Sequence, residues 1–466
     1  MESSVINGIN QMLQNMSSTS NEKIIKKKEV VPTKPLILSP IQKKIVESDA
    51  SHIIVAAGAG SGKTRVLTKR IEYLITKKQV DPSSIVAITL TNMAADEMRE
   101  RLADVKGIGD AFIGTIHSFA NKIFYSSGSK YSIYNDDKEN ELHRYLIETY
   151  CKSLTFQRFL LFKDAKTKAD MGLLSQEQVY DFLLPSEKAE LSLIHRSAKQ
   201  AINDADYPES IETLCKKYNI ITFDELLQEA TDYFKSLNSS LEYVLVDELQ
   251  DVGTLEYKFI QSLNADNYFF VGDDWQSIYG FKGGNVNIFI GLMKDKKYKK
   301  FYLTENYRNG TEILKKADYV INQVPNKVDK KVKPMSKKSG EVRIDSKFKL
   351  DKYLAELKRE GNYGNWFILV RSNKDIFKVS ERLQSMQIPY STFKRSDLKL
   401  SELKAEMALD TVKVLTVHTS KGLEVPNVLL VGNFPMKEPV YRKNPEERKV
   451  LYVGITRAES KLIILN

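Results

Sequence analysis

Two hydrophobic rhythms alternate along this chain. Short, continuous apolar runs end at the glycine-rich stretch that follows His52 to Ala57, at Ile85 to Leu90, near Ile113, at Tyr243 to Val246 and at Phe269 to Gly272. Runs of this length and composition read as strands buried on both faces of a parallel sheet. Between them, Leu67, Ile71, Leu74 and Ile75 repeat with the spacing of an amphipathic helix. Strands alternating with helices predict an α/β fold. From 131 to 218 the texture changes: Glu139 to Tyr150 and Gln176 to Leu184 carry helical spacing, many charges and few strand signals, so a helical insertion is expected there. Strand-like runs return at Trp366 to Val370, Val412 to Val417 and Val428 to Val431, which predicts a second α/β domain over 306–466. The first domain is then expected in two pieces, 35–130 and 219–305. Residues 1–34, rich in Ser, Asn and Lys and without periodicity, read as a flexible polar and basic tail.

Length and charge narrow the class. At 466 residues the chain is too long for one ordinary core. Its net charge of +10 is compatible with a polyphosphate partner without demanding one. Cys151 and Cys215 provide neither a disulfide framework nor metal-ligand spacing, which fits a reducing compartment. No run approaches 18 apolar residues and no secretory leader is visible. A soluble intracellular protein, cytoplasmic if prokaryotic or phage-encoded, with no membrane partner, is expected.

The candidate chemistry starts where the first strand ends. Ala57-Gly58-Ala59-Gly60-Ser61-Gly62-Lys63-Thr64 is a glycine-rich loop leading into a helix. Gly58, Gly60 and Gly62 let backbone N–H groups turn inward, and the helix offers its positive end to anionic oxygens. Lys63 is expected to reach the β- and γ-phosphates of a nucleotide and Thr64 to hold Mg2+. Position 57 carries Ala where the generic pattern has Gly. Asp247 and Glu248 stand at the end of a later strand, and ligands of open α/β sheets sit beyond such ends. Asp247 is placed to hold Mg2+, and Glu248 to orient and deprotonate water.

Further motifs follow in order: Thr89-Leu90-Thr91-Asn92-Met93-Ala94-Ala95, Gly114-Thr115-Ile116-His117-Ser118-Phe119, Val246-Asp247-Glu248-Leu249-Gln250-Asp251, Val271-Gly272-Asp273-Asp274-Trp275-Gln276-Ser277-Ile278-Tyr279, Glu305-Asn306-Tyr307-Arg308, Leu415-Thr416-Val417-His418-Thr419-Ser420-Lys421-Gly422-Leu423-Glu424 and Tyr452-Val453-Gly454-Ile455-Thr456-Arg457-Ala458. Together they resemble the UvrD/Rep/PcrA helicases of superfamily 1. The resemblance implies two RecA-like P-loop NTPase domains, the first carrying the helical insertion. It implies ATP as the nucleotide, with Gln42 reading the adenine edge, Tyr307 packing on its face, Arg65 beside the phosphate loop and Glu424 near the ribose. Gln276, Arg308 and Arg457 are implied to contact the γ-phosphate, the two arginines coming from the second domain so that closure is coupled to hydrolysis. Single-stranded DNA and duplex junctions are the implied partners, with Thr91, Asn92, His117, Tyr279, Phe281, Lys282 and His418 along the strand. Leu90 stands where phenylalanine is common, Lys282 where arginine is usual, and Trp275 where a short polar residue is usual. Only about 40 residues separate Ser372 from Thr411, too few for the mobile domain that larger relatives insert there, which is expected to be absent or vestigial. The implied activity is an ATP-dependent DNA helicase and single-strand translocase with 3′→5′ polarity. The alternative is an ATP-driven nucleoprotein remodelling or loading factor that translocates without productive unwinding. Protein partners and oligomeric state stay open, a monomer being compatible with the sequence.

Overall fold

The computed structural model describes residues 37–134, 141–142, 145, 161–162, 165–166, 200, 210–394, 398–434 and 445–466. The expected N-terminal tail and most of the stretch between 139 and 209, including most of the expected helix Glu139 to Tyr150 and all of that at Gln176 to Leu184, lie outside these residues; Glu141, Leu142 and Tyr145 are helical. The chain divides into two compact units, one made of Met1–Ile123 with Ala230–Asn466 and the other of Phe124–Glu229. In the smaller unit Ser132–Ile133 and Ile220–Ile221 pair in parallel, and Leu142, Leu214 and Ile220 form a small buried cluster.

The larger unit holds two lobes, each built on a six-stranded sheet. The first-lobe strands are β1 (His52–Ala57), β2 (Ile85–Thr89), β3 (Phe112–Thr115), β4 (Tyr243–Val246), β5 (Asn267–Gly272) and β6 (Lys299–Leu303). They lie in the order β3-β2-β4-β5-β1-β6, every neighbouring pair parallel. Ile53, Ile54 and Val55 of β1 are fully buried, each worth about 1.5–3 kcal/mol relative to exposure. The helix Lys63–Thr76 buries Val66, Leu67, Ile71 and Leu74 on that sheet. It also buries Arg70, whose Nη1 donates to the carbonyls of Val46 (2.6 Å) and Ser48 (2.8 Å).

The second lobe contains β7 (Glu341–Asp345), β8 (Trp366–Val370), β9 (Tyr390–Ser391), β10 (Val412–Thr416), β11 (Val425–Val431) and β12 (Ala458–Leu465), in the order β7-β12-β11-β8-β10-β9, all parallel. Its helices Thr311–Ile321 and Pro445–Ile455 share one buried cluster with Leu369, Leu415, Leu430 and Leu462 of the sheet.

Among the described residues, two of the segments that join the lobes lie outside the motif runs: 324–335 and the helix Leu400–Ala408. Residues 324–335 run back from the second lobe as a strap beneath the first. There the Val328 N–H donates to Asp274 Oδ2 (2.7 Å), the Lys333 N–H to the Thr304 carbonyl (2.6 Å) and the Met335 N–H to the Asn306 carbonyl (2.8 Å). Val332 packs against Gly58, where a Cβ would meet its Cγ2 at 2.9 Å. On the other side, Leu400 and Leu403 of the helix Leu400–Ala408 bury Met93 of the helix Asn92–Leu102, and Lys404 pairs with Glu100.

Candidate functional site

Three adjacent strands deliver the candidate catalytic groups to one edge of the first sheet. β1 ends in the glycine-rich loop, its neighbour β5 in Asp273 to Gln276, and the next strand β4 in Asp247 and Glu248. The loop has the backbone a phosphate cradle needs: Gly60 and Gly62 adopt φ 62° and 84°, left-handed values that L side chains avoid. Gly62 caps the helix Lys63–Thr76, aiming that helix's first N–H groups at the loop. Ser61 turns inward, its hydroxyl donating to the Gly58 carbonyl at 2.8 Å.

Lys63 meets Glu248 across the loop, with Nζ 3.1 Å from Oε1 and 3.3 Å from Oε2. Glu248 reaches it from a left-handed backbone (φ 52°, ψ 37°), a strained placement for a residue with a side chain. Gln250 also donates to Glu248 Oε2 at 2.5 Å. Burial works against ionisation of Glu248, yet Lys63, Lys421 and the Gln250 hydrogen bond overcome it and bring its carboxyl down to about 2. Asp247 shows the opposite outcome. Burial and the neighbouring Glu248 charge push it up to about 7, in spite of Lys63 and the Glu248 N–H that it accepts at 2.9 Å. A carboxylate buried with too little positive charge is the kind of group a divalent cation completes. Among the described residues no cluster of three or more His, Cys, Asp or Glu could hold a metal by itself. Asp247, and the Thr64 hydroxyl in the first turn of the helix Lys63–Thr76, are groups that could hold a divalent cation together with oxygens of a ligand.

The second lobe supplies cations to the same cleft. Asn306 and Asn309, both fully buried, hold the crossing between lobes: Asn306 Nδ2 donates to the Ala59 carbonyl (2.8 Å), and Asn309 Nδ2 to the carbonyls of Thr456 (3.1 Å) and Ala458 (2.5 Å). Arg308 lies between them, its Nε 2.5 Å from Glu424 Oε2 and its Nη1 3.3 Å from the Thr456 carbonyl. Arg457 is 1 % exposed and fixed by the carbonyls of Val453 and Leu423, both at 3.0 Å. Its remaining reach goes to the first lobe, where Nη2 donates to Gln276 Oε1 at 3.0 Å. Burial, and then the neighbouring Arg308, pull Arg457 down to about 9. Arg308, already paired with Glu424, and the buried Arg457 bring two guanidiniums to the cleft, groups of a type that suits an anion.

Gln42 is buried, with both ends of its amide engaged: Oε1 accepts from Ser39 N–H at 3.1 Å and Nε2 donates to the Ser61 carbonyl at 3.1 Å. It braces the phosphate loop here, and reading an adenine would require at least one of these bonds to be exchanged. Tyr307 is 44 % exposed; its hydroxyl donates to Glu305 at 2.7 Å, and partial burial together with that bond pushes the phenol up against the smaller opposing effects of Ser39 and Arg65.

Several residues of this site have no role that the sequence assigns. Asp273 and Asp274 are fully buried around Lys330 Nζ, at 2.6 and 2.8 Å. Trp275 roofs that ammonium, which lies 4.6 Å from its ring centroid. The indole N–H donates to the Val328 carbonyl at 3.0 Å, and the ring meets Tyr452 edge-on at 5.8 Å. Trp275 is thus a packing residue of the inter-lobe strap. Lys421 of the second lobe pairs with Asp251 of the first and donates to the Gln276 carbonyl at 2.9 Å.

The expected strand-contacting residues divide into two groups. Tyr279, Phe281 and His418 form an aromatic cluster spanning both lobes, with centroid separations of 6.2, 6.2 and 5.4 Å. Lys282 lies over Tyr279 and Phe281 at 5.7 and 6.0 Å, and Phe281 is 67 % exposed. Thr91, Asn92 and His117 stand instead at the carboxyl ends of β2 and β3. Thr91 has a local duty as well, since its hydroxyl caps the helix Asn92–Leu102 by accepting from Ala94 N–H at 3.2 Å. His117 Nε2 lies 4.0 Å from Glu256.

Two family models match the chain: the UvrD/REP helicase N-terminal domain over residues 38–297 and the UvrD-like helicase C-terminal domain over residues 393–466. A probable DNA helicase of Mycoplasma pneumoniae is 28% identical over 92% of this chain and 83% of its own length. DNA helicase II of Haemophilus influenzae is 30% identical over 76% of this chain and 51% of its own length. The ATP-dependent DNA helicase PcrA of Leuconostoc citreum is 29% identical over 75% of this chain. The chain thus spans most of the first relative and about half of the other two.

Proposed function

We propose, for a chain that belongs to the UvrD/REP helicase family, an ATP-driven motor that moves along single-stranded DNA and unwinds duplexes, with 3′→5′ polarity. The observation that supports this reading is the meeting of both lobes in one cleft lined by Lys63, Glu248, Gln276 and Arg457. Lys63 and Glu248 face each other in the first lobe, while Arg457 from the second is already bonded to Gln276 of the first. We assign 35–130 with 219–305 as the first ATPase domain, 131–218 as its helical insertion and 306–466 as the second domain, lacking a large mobile insertion.

In this reading the Lys63–Glu248 pair is a resting lock. Incoming β- and γ-phosphates take Lys63 away from Glu248, whose basicity then rises from its salt-bridged value toward that needed to accept a proton from water. Asp247 and Thr64 would hold Mg2+, which supplies charge neutralisation on the phosphates. Arg308 and Arg457 stabilise the charge of the transferring phosphoryl group and are in reach only while the lobes are together, so hydrolysis releases the second lobe. Tyr279, Phe281 and His418 offer stacking faces to bases at the seam between the lobes, and their alternation with closure moves the strand. A soluble, intracellular setting follows from this reading; among the described residues no helix is long and apolar enough to cross a membrane.

The test is ATP hydrolysis without nucleic acid, with single-stranded DNA and with single-stranded RNA, followed by unwinding of duplexes bearing a 3′ or a 5′ overhang. DNA-stimulated turnover with unwinding from the 3′ overhang alone is expected. Stimulated turnover without unwinding would favour a remodelling or loading factor, and absence of stimulation would refute the coupling.

A further inference from the structure

Lys330 lies in the strap, outside every motif, yet its ammonium is buried between Asp273, Asp274 and the end of β1. The side chain is completely buried, as are those of its partners Asp273 and Asp274. It donates to the carbonyl of Ala57 (3.1 Å), the last residue of β1 before the phosphate loop, to Asp273 Oδ1 (2.6 Å) and to Asp274 Oδ1 (2.8 Å). The other carboxylate oxygens face outward from the ammonium. Asp273 Oδ2 accepts from Gln276 Nε2 at 2.5 Å, and Asp274 Oδ2 accepts the Val328 N–H at 2.7 Å. With its Nε2 held, the Gln276 amide can present only Oε1 to Arg457, 3.0 Å away. The Asp273 N–H donates to Gln250 Oε1 (2.7 Å), whose Nε2 donates to Glu248 (2.5 Å). One ammonium therefore sets the orientation of two glutamines that touch the candidate base and the candidate arginine.

We propose that Lys330 is a positioning residue for ATP hydrolysis, fixing Gln276 and Gln250 through Asp273 and referencing both to the phosphate loop through Ala57. The inference rests on the ATPase reading above. It differs from a packing role because its effect falls on the hydrolytic step. Lys330 meets the expected nucleotide-binding loop at the Ala57 carbonyl alone, a backbone group already held in β1, so nucleotide affinity depends little on it, whereas the geometry of Glu248, Gln276 and Arg457 depends on it through hydrogen bonds. Lys330→Met alone would leave two buried carboxylates without a cation and risks failure to fold. The informative variant is Lys330→Met with Asp274→Asn, which keeps the cluster's net charge of one negative unit.

The experiment measures kcat and KM for ATP at saturating single-stranded DNA, nucleotide affinity by titration with a fluorescent, non-hydrolysable ATP analogue, and the melting temperature. The double variant is expected to bind the analogue within about threefold of wild type while kcat falls about tenfold or more with little change in KM. In a second variant, Lys330→Ala with Asp274→Asn, n-butylammonium is expected to restore part of the lost kcat where n-butanol of the same size does not. Wild-type kcat in the folded Lys330→Met, Asp274→Asn variant, or equal rescue by alcohol and amine, would overturn the proposal. Loss of analogue binding in parallel with kcat in both variants would overturn it too, in favour of a packing role. Wild-type protein without DNA-stimulated turnover would refute the ATPase reading itself, an outcome distinct from any of these.

Discussion

Asp247 offers the sharpest test of the site, because its predicted mutant effect on stability is the reverse of its effect on activity. The carboxyl is 5 % exposed and is pushed by burial and by Glu248 from the ordinary 3.8 to about 7. A raised carboxyl pKa means that the charged form is disfavoured in the folded state. The cost is absent below pH 4, grows as pH rises through the interval and is complete above pH 7. At about 1.36 kcal/mol per unit the ceiling is about 4 kcal/mol. Asp247→Asn removes the charge, and its side-chain oxygen can still accept the Glu248 N–H, so the nucleotide-free protein should gain about 1–3 kcal/mol at pH 8 and almost nothing at pH 4. The assay is urea unfolding at several pH values without divalent cation, followed by the emission of Trp275 and Trp366. Turnover by the same variant should be lost. Adding Mg2+ with a non-hydrolysable nucleotide should stabilise wild type and close the gap between the two proteins. A stability difference independent of pH, or a variant less stable than wild type at pH 8, would refute the electrostatic account of this carboxylate.

The remaining expectations concern other parts of the cleft. Lys63→Ala or Glu248→Gln should lower DNA-stimulated kcat by about 100-fold or more, and near-normal steady-state turnover in either would remove the site assignment. Gly60→Ala should strain a left-handed backbone by about 1–2 kcal/mol and drive its Cβ to 2.7 Å from the Arg308 Cβ. A lowered melting temperature with a raised KM for ATP is the expected signature, and an unchanged KM would count against the close approach. Tyr279→Ala should weaken single-stranded DNA binding by about 1–3 kcal/mol, measured by fluorescence anisotropy of a labelled oligonucleotide, while leaving unstimulated hydrolysis in place.

The parts of this arrangement that sequence made legible are those set by local rules. A continuous apolar run from Ile53 to Val55 followed by three spaced glycines specifies a strand, a turn and a helix start within a dozen residues. Tyr243 to Val246 ending in two acids is equally local. Lys330 had no such signal. It sits among Lys327, Lys331, Lys333, Lys337 and Lys338, where a lysine reads as solvated, and only the fold brings it beneath Asp273 and Asp274. Trp275 was opaque for the same reason, since its partners Lys330, Val328 and Tyr452 come from distant segments. The union of Met93 with Leu400 and Leu403 likewise pairs residues some 300 positions apart, beyond any periodicity argument.

The strap over 324–335 bears on how this protein can be divided. By chain order the first lobe ends near 305, and a fragment cut there would hold every first-lobe motif from Gln42 to Lys282. It would also lose the ammonium between Asp273 and Asp274, the Val332 side chain that packs against Gly58, and the N–H that Asp274 accepts from Val328. Two interior carboxylates would then face each other without a counter-charge, directly under the phosphate loop. The smallest autonomous piece containing the first sheet therefore extends past residue 335. In any exchange of lobes the strap of this chain belongs with the first lobe, whose buried carboxylates take their counter-charge from it.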